Sequence, residues 1–413
     1  MSLSIDDQPG SRAPVRLHDQ CRRLIRDAGF DLLAITPAVD SRGVHDLVRW
    51  IDRGYAGQMD YFTRRLDAYR HPDGVLANCR ALIALTLPYH DQPPTDRSSA
   101  ADRSSATDAP PAAGRVARYA WSGVDYHDVV HQRLRPIKNL IATHHSGANA
   151  RVVVDTAPLL EREVAAAAGL GWRGKNTLLL NKSRGSYFFL ACVLVDIDLQ
   201  SERPATPFSG DADNGHCGNC TACLDACPTD AFPSAGVLDA TRCISYLTIE
   251  HRGPIDTSLR PLMGDWLFGC DVCQEVCPWN KRHASRTPPE SISNSPMRSQ
   301  PPTMRTLNAI ELLRMDEEAF RRRFRKTPMW RTRRAGLLRN AAIFLGNFRP
   351  DGSAATLSTA LDDGDTVVRG AAVWAWSRLR PPSGRERLTM MAASETDSAV
   401  TEEIRVALRD WTT

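Results

Sequence analysis

Cys217-Gly-Asn-Cys220-Thr-Ala-Cys223-Leu-Asp-Ala-Cys227-Pro228 is the stretch on which the reading of this chain turns. Its spacing, Cys-x2-Cys-x2-Cys-x3-Cys-Pro, is the complete run that holds 4Fe–4S clusters in two-cluster proteins. Three closely spaced thiolates grip one cluster. The fourth, followed by proline, points away and ligates the other. A second run, Cys270-x2-Cys273-x3-Cys277-Pro278, is truncated, because its first place is held by Leu267, which cannot bind iron. Cys243, between the two runs, can fill that vacancy. The ligand sets are then Cys217, Cys220, Cys223 and Cys277 for one cluster, and Cys227, Cys243, Cys270 and Cys273 for the other. A zinc site or structural disulfides are the competing readings. Zinc needs only four thiolates and gives no reason for the interlocked Cys-Pro pairs. Clustered cysteines in a reducing compartment read as metal ligands.

The chain has 413 residues, 24% charged and 42% hydrophobic, with a net charge of +4. This suits a globular protein of two or three domains and is compatible with a polyanionic partner without requiring one. Met1–Gly10 shows no basic stretch followed by an apolar one, so no signal peptide is expected. The longest apolar run, Tyr187–Val195, falls short of the ~20 residues needed to cross a bilayer. A cytoplasmic protein with no membrane partner is expected. Of the 11 cysteines, Cys21, Cys79 and Cys192 lie outside the block in apolar or helical contexts and read as small buried residues.

Two clusters side by side carry single electrons, so the chain is an electron carrier or a reductase with an internal wire. The length on either side of the cysteine block argues for a catalytic and a recognition domain. Upstream, Val15–Gly29 reads as an amphipathic helix ended by Gly29. The short runs Leu32–Ile35, Ala81–Leu87, Val152–Val154, Thr177–Leu180 and Tyr187–Val195 suit buried strands. Tyr126–His144 and Leu159–Ala168 read as helices between them, which predicts an α/β or α+β sheet domain. The Pro/Ser/Ala/Asp-rich tract 91–113 reads as a surface insertion and 284–302 as a linker. Asp155, in Val154-Asp-Thr-Ala-Pro158, sits where a strand ends and a helix begins. A carboxyl there, beside a buried cofactor, could have a raised pKa and donate a proton. The alternative is a simple helix cap. Gly169–Gly174 is neither a P-loop nor a dinucleotide fingerprint and reads as a tight turn. Asp125-Tyr126-His127 would begin a cobalamin-binding Asp-x-His-x-x-Gly signature, but Val130 stands where glycine is required, so a histidine cobalt ligand is not supported. These residues can simply start a helix.

Downstream, eight basic residues and no acidic one lie between Arg321 and Arg334, with Phe324 and Trp330 among them. That suits phosphate contacts and base stacking on RNA, against the plainer reading of a solvated helix face. Beyond it, Leu338-Arg-Asn-Ala-Ala-Ile matches Val368-Arg-Gly-Ala-Ala-Val, and Asp365-Thr-Val-Val is echoed by Asp397-Ser-Ala-Val. A helical period near thirty residues predicts a small HEAT-type solenoid, with an ordinary bundle as the alternative.

These segments together resemble the epoxyqueuosine reductase family of bacterial tRNA modification. The resemblance rests on Val-Asp155-Thr-Ala-Pro, Ala-Gly169-Leu-Gly-Trp-Arg-Gly-Lys-Asn176, Cys217–Pro228 and Arg242-Cys243-Ile-Ser-Tyr-Leu-Thr248. Gly269-Cys270-Asp271, Cys277-Pro278 and Gly336-Leu-Leu-Arg-Asn340-Ala complete it. It implies an α+β fold: an N-terminal α/β cobalamin-binding catalytic domain over 15–205, a ferredoxin-type double 4Fe–4S domain over 206–283, and an all-α HEAT-like domain over 303–413 that binds tRNA. It implies base-off cobalamin beside the two clusters, with Asp155 as proton donor. The residues it places on cobalamin are Arg70, Asp155, Leu160, Glu161, Arg162, Asn176, Leu179, Leu190, Cys270 and Asp271. The implied partners are tRNA carrying epoxyqueuosine in the anticodon loop and an external electron donor, with the enzyme a monomer. A dehalogenase-like reductase of small molecules, or a non-enzymatic carrier or RNA-binding module, are the alternatives.

Overall fold

A computed structural model describes residues 14–89, 112–201, 216–283, 297 and 304–411. The insertion read at 91–113 lies outside the described residues except for its last two, and the linker at 284–302 except for Met297. In chain order the strands are β1 (Leu32–Pro37), β2 (Ala81–Pro88), β3 (Ala113–Val116), β4 (Ala150–Val153), β5 (Trp172–Arg173), β6 (Leu179–Leu180), β7 (Phe188–Val195), β8 (Trp266–Phe268) and β9 (Thr306–Asn308).

The main sheet has the order β1-β2-β7-β4, and every neighbouring pair is antiparallel. All of β2 is buried, as a central strand covered on both faces requires. The two-residue alternation of a strand sorts its side chains. Ile83, Leu85 and Leu87 join Ile25, Leu134 and Ile141 from the helices Asp19–Asp27 and Tyr126–His144. Leu82 and Ala84 join Ala165 and Ala168 at the helix Glu161–Ala167.

Two local expectations change. The first helix starts at Asp19, because Val15 pairs instead with Leu199 as an isolated parallel bridge and His18 caps the helix through Nδ1. Only Leu179–Leu180 of the run Thr177–Leu180 are extended, and they pair with β5 in a separate two-stranded ribbon. Glycine makes that ribbon possible: a Cβ on Gly171 would lie 2.1 Å from the Leu180 carbonyl oxygen.

A second sheet, β8-β3-β9, takes its strands from three distant parts of the chain. Residues 112–120, upstream of the main sheet's last strands, are therefore packed with the cysteine segment and the helical tail. Val116, Leu247, Phe268, Leu338 and Ala341 belong to one continuous core. The tail is a series of helices, Arg333–Phe348, Ser353–Ala360, Thr366–Leu379, Gly384–Ala392 and Ser398–Asp410. The sequence echo Asp365/Asp397 is a repeated N-cap: each carboxylate accepts from backbone N–H groups in the first turn of its helix. Among the described residues no helix is long and apolar enough to cross a membrane.

Arg339 and Asn340, both buried, clamp the tail to the cysteine segment. Asn340 Nδ2 donates to the carbonyls of Thr248 and Leu267, each at 2.9 Å. Arg339 donates to the carbonyls of Leu247, His251 and Gly253. Thr248 Oγ1 in turn accepts from the N–H of Gly269, next to Cys270. Replacing Asn340 by alanine strands buried carbonyls at a cost of ~1–3 kcal/mol. Asn340→Ala should lower the thermal unfolding midpoint and speed bleaching of the cluster absorbance in air. An unchanged midpoint and bleaching rate would remove the clamp from the stability of the cysteine segment.

Candidate active site and cluster-binding segment

The two cysteine runs fold alike. Ala222–Asp225 and Val272–Glu275 form single helical turns, each inside one Cys run. The sulfurs influence one another mostly within two sets, with Cys223 acting on Cys273 across them. The Cys223 thiol is pushed up to about 11, first by burial and then by Cys277, Cys217 and Cys220. Burial also raises Cys273, reinforced by Cys243, Asp271, Cys223 and Cys227. Cys270 is raised by burial and then by Cys243. Iron would take these sulfurs as thiolates. Leu267 is fully buried in the middle of β8. Cys243 occupies the N-cap position of the helix Ile244–Ile249.

The Gly169–Asn176 segment turns toward this block. Lys175 Nζ donates to the carbonyls of Gly218 at 2.7 Å and Cys220 at 3.0 Å. Buried Asn176 donates to the Cys273 carbonyl at 3.4 Å. Trp172 and Leu180 pack with Cys277, and Trp279 lies against them.

A cavity of about 1300 Å³ opens where the sheet region, the cysteine segment and the start of the helical tail meet. It exceeds the roughly 300–1,000 Å³ that holds a drug-sized ligand. Leu47, Trp50, Phe62 and Leu160 give it apolar wall, and Asp155, Glu161, Arg162, Arg252, Arg331 and Arg333 give it charge. Of the residues expected on cobalamin, Asp155, Leu160, Glu161 and Arg162 come together on this lining. Arg70 pairs with Asp67 at 3.2 Å and lies outside the lining. Asn176 is tied to the cysteine block. Leu179 and Leu190 belong to the apolar layer beneath, with Leu159 and Ala165. Cys270 is partly buried, and Asp271 is buried and accepts from the Arg118 N–H at 2.7 Å.

Asp155 is not a helix cap: the N-cap of Glu161–Ala167 is Leu160, and it makes no side-chain cap bond. The sheet is antiparallel, so the strand-end logic of parallel sheets does not place Asp155 either. A left-handed turn does. Asp155 has φ of 57°, and its N–H donates to Glu161 Oε1 at 2.5 Å. The half-exposed carboxylate accepts a hydrogen bond from the Tyr126 hydroxyl. His127 Nε2 is 3.4 Å and Arg331 Nη1 3.7 Å from Oδ2.

These neighbours correct the expectation of a raised pKa at Asp155. Partial loss of solvent around the carboxylate would raise it, but His127, Arg331 and Tyr126 outweigh that and bring it down to about 2. The raised carboxyl is Glu161, pushed up to about 8 by burial and by the Asp155 charge. Asp125 does cap the helix Tyr126–His144, as the sequence allows, accepting from the His127 N–H at 3.0 Å. The same turn also delivers Tyr126 and His127 to Asp155, a role that sequence spacing did not reveal. The basic strip divides as well. Arg334 is neutralised by Asp363, and Arg321 and Arg322 reach back to Glu317 and Glu318. Arg331 lines the cavity.

Known proteins resemble this chain in sequence and in fold. The profile "Epoxyqueuosine reductase QueG, DUF1730" matches residues 70–156, a "4Fe-4S double cluster binding domain" profile matches 216–280, and a HEAT-repeat profile matches 331–409. An epoxyqueuosine reductase of Pseudomonas aeruginosa is 38% identical over 340 residues, 81% of this chain and 86% of that one. A crystal structure of an epoxyqueuosine reductase with an epoxyqueuosine-modified tRNA-Tyr stem loop superposes with a TM-score of 0.81 at 27% identity, covering 96% of this chain and 98% of that one. A Bacillus subtilis epoxyqueuosine reductase, solved with its catalytic aspartate loop swung out of the active site, superposes with a TM-score of 0.79 at 26% identity, covering 95% and 99%. By fold, by cysteine pattern and by relatives that match most of its length, the chain belongs to the epoxyqueuosine reductase family.

Proposed function

We propose that this chain reduces the epoxide of epoxyqueuosine at the wobble position of tRNA to the alkene of queuosine. The reaction consumes two electrons and two protons and releases water. The observation that carries this reading is the single cavity wall shared by Asp155, the cysteine segment and the basic start of the helical tail. The two sulfur groups suit two 4Fe–4S clusters, with Cys217, Cys220, Cys223 and Cys277 holding one and Cys227, Cys243, Cys270 and Cys273 the other. The size and apolar wall of the cavity suit a corrin ring together with a nucleoside. Leu160, Glu161 and Arg162 are the lining residues assigned to base-off cobalamin, with Arg70, Asn176, Leu179, Leu190, Cys270 and Asp271 around it. When bound, these groups supply reducing electrons one at a time, fed by an external donor.

The chain's own residues handle orientation and protons. The left-handed turn and the Glu161 contact aim the Asp155 carboxyl into the cavity. Asp155 protonates the departing epoxide oxygen, since an alkoxide leaves poorly. General acid catalysis of this kind typically gives ~10²–10⁴-fold. The resting carboxylate is ionised, so it takes up its proton after substrate has bound.

Asp155→Asn should retain iron and cobalamin yet lose ~10²–10⁴ in single-turnover rate on modified tRNA. Full turnover in that variant would remove Asp155 from the reaction. Cys243→Ser should bind about half the iron of the parent protein, because one of two clusters loses a ligand. Undiminished iron would reassign Cys243. The exposed pair Arg322→Gln and Arg325→Gln should weaken tRNA binding and flatten the slope of log affinity against log salt by about one for each phosphate contact removed. Unchanged affinity and slope would return the basic strip to a solvated face.

A further inference from the structure

Trp172 carries a buried polar group that the proposed reaction leaves without a task. The residue is 7% exposed, and its indole Nε1 has no hydrogen-bond partner among the described residues. A buried indole N–H usually finds an acceptor, and leaving it without one is costly. The ring cannot swing out to find one. Trp172 pairs with Leu180 across the β5–β6 ribbon, and Gly171 fits closely against the Leu180 carbonyl. Lys175, three residues on, is fixed to the carbonyls of Gly218 and Cys220.

The surroundings narrow what this N–H can meet. Leu180 and Cys277 pack on Trp172 in one buried cluster, with Cys217 and Trp279 against it. The Trp279 ring makes a T-shaped contact at 5.0 Å, and the His216 ring lies at 4.5 Å. A ring face accepts an N–H only weakly. Trp279 stands beside the same cysteines, but its own Nε1 donates to the His216 carbonyl at 3.3 Å. Of two indoles next to one pair of cysteines, one is thus satisfied by a backbone carbonyl and the other is not. Water is a poor candidate, because a buried water needs about two to four polar partners and this corner is leucine, aromatic rings and sulfur. Iron changes the corner. A 4Fe–4S cluster brings sulfide sulfurs beside the thiolates of Cys217 and Cys277, and these sulfurs accept hydrogen bonds.

We infer that the Trp172 indole N–H donates a hydrogen bond to a sulfur of the cluster held by Cys217, Cys220, Cys223 and Cys277, and so raises the reduction potential of that cluster. The inference rests on the cysteine assignment proposed above. Hydrogen bonds to the sulfurs are among the features that set the potential of such clusters. The sign follows from charge. Reduction adds one negative charge, and a hydrogen bond to a more negative acceptor is stronger. The reduced form therefore gains more from the indole than the oxidised form does. The position suits the effect. Cys220 is exposed, whereas none of Cys227, Cys243, Cys270 and Cys273 is. An external donor thus reaches the first cluster more readily, and a raised potential there eases entry of the electron.

The test is a redox titration of the iron-loaded protein followed by EPR, with iron content measured alongside. The parent should show two one-electron reductions, one for each cluster. Trp172→Phe keeps an aromatic ring and removes the N–H. It should hold the parent's iron and move one reduction to lower potential, so that the oxidised-to-reduced ratio of that cluster rises several-fold at the parent's midpoint. The other reduction should stay in place. Trp279→Phe takes an indole from the same corner without touching the inferred bond, and should leave both midpoints unmoved. Unchanged midpoints in Trp172→Phe overturn the inference. So do equal shifts in the two variants, which would assign the effect to packing or solvent access. If Trp172→Phe fails to hold iron, the reduced parent decides when grown with tryptophan carrying nitrogen-15 in the indole. Pulsed EPR should then show the cluster spin coupled to an indole nitrogen, in the parent and equally in Trp279→Phe, and no such coupling overturns the bond. Fewer than two reductions in the parent would end the cysteine assignment and the inference with it. Two reductions without a Trp172 effect would end the hydrogen bond alone.

Discussion

Eight thiols have to be gathered within a short stretch of chain before any iron can be bound, and gathering them is unfavourable. Burial and mutual repulsion push the sulfurs toward the neutral thiol, as at Cys223, Cys270 and Cys273. A small peptide that did only this would have little core to hold it. Here the cost is offset from outside the cysteine segment. Arg339 and Asn340 of the helical tail take up its backbone carbonyls, and Lys175 takes up those of Gly218 and Cys220. The second sheet joins β8, which precedes Cys270, to strands from both flanking regions.

The same seam makes the cavity. Because the tail is packed into the core of the cysteine segment, its first basic residues reach the sheet region. The cavity forms at that junction, and its wall alternates apolar surface with charge. Asp155 stands on the sheet side, held by a left-handed turn and the Glu161 carboxyl, and Arg331 stands on the tail side. Residues from the sheet region and from the helical tail are thus only 3.7 Å apart at Asp155 and Arg331. The electrostatic consequence is that Asp155 rests ionised and Glu161 holds the higher pKa.

Much of this was legible in the amino-acid order. Cysteine spacing reports ligand geometry because neighbouring ligands to one cluster lie close along the chain. The strands β2 and β7 and the helix Tyr126–His144 follow from runs and periods of apolar residues, which express burial locally. The Asp365 and Asp397 caps bond within one turn, so their repetition showed in the sequence.

What the sequence could not decide is how residues far apart in it come to face one another. Tyr126 and Asp155 are 29 residues apart, and His127 and Arg331 are 204 apart. No local period links them. Asp155 looked like a strand-end acid or a cap, and only its φ and its three neighbours show it to be a depressed carboxylate aimed into a cavity. Arg331 looked like one more member of a basic strip, and only packing separates it from Arg334, which Asp363 neutralises. The eight cysteines and the order of the elements were determined by the sequence, because short-range spacing encodes them. Which charges meet at the active site was decided by tertiary structure, because a side chain's pKa and task depend on groups that folding alone brings within a few ångströms.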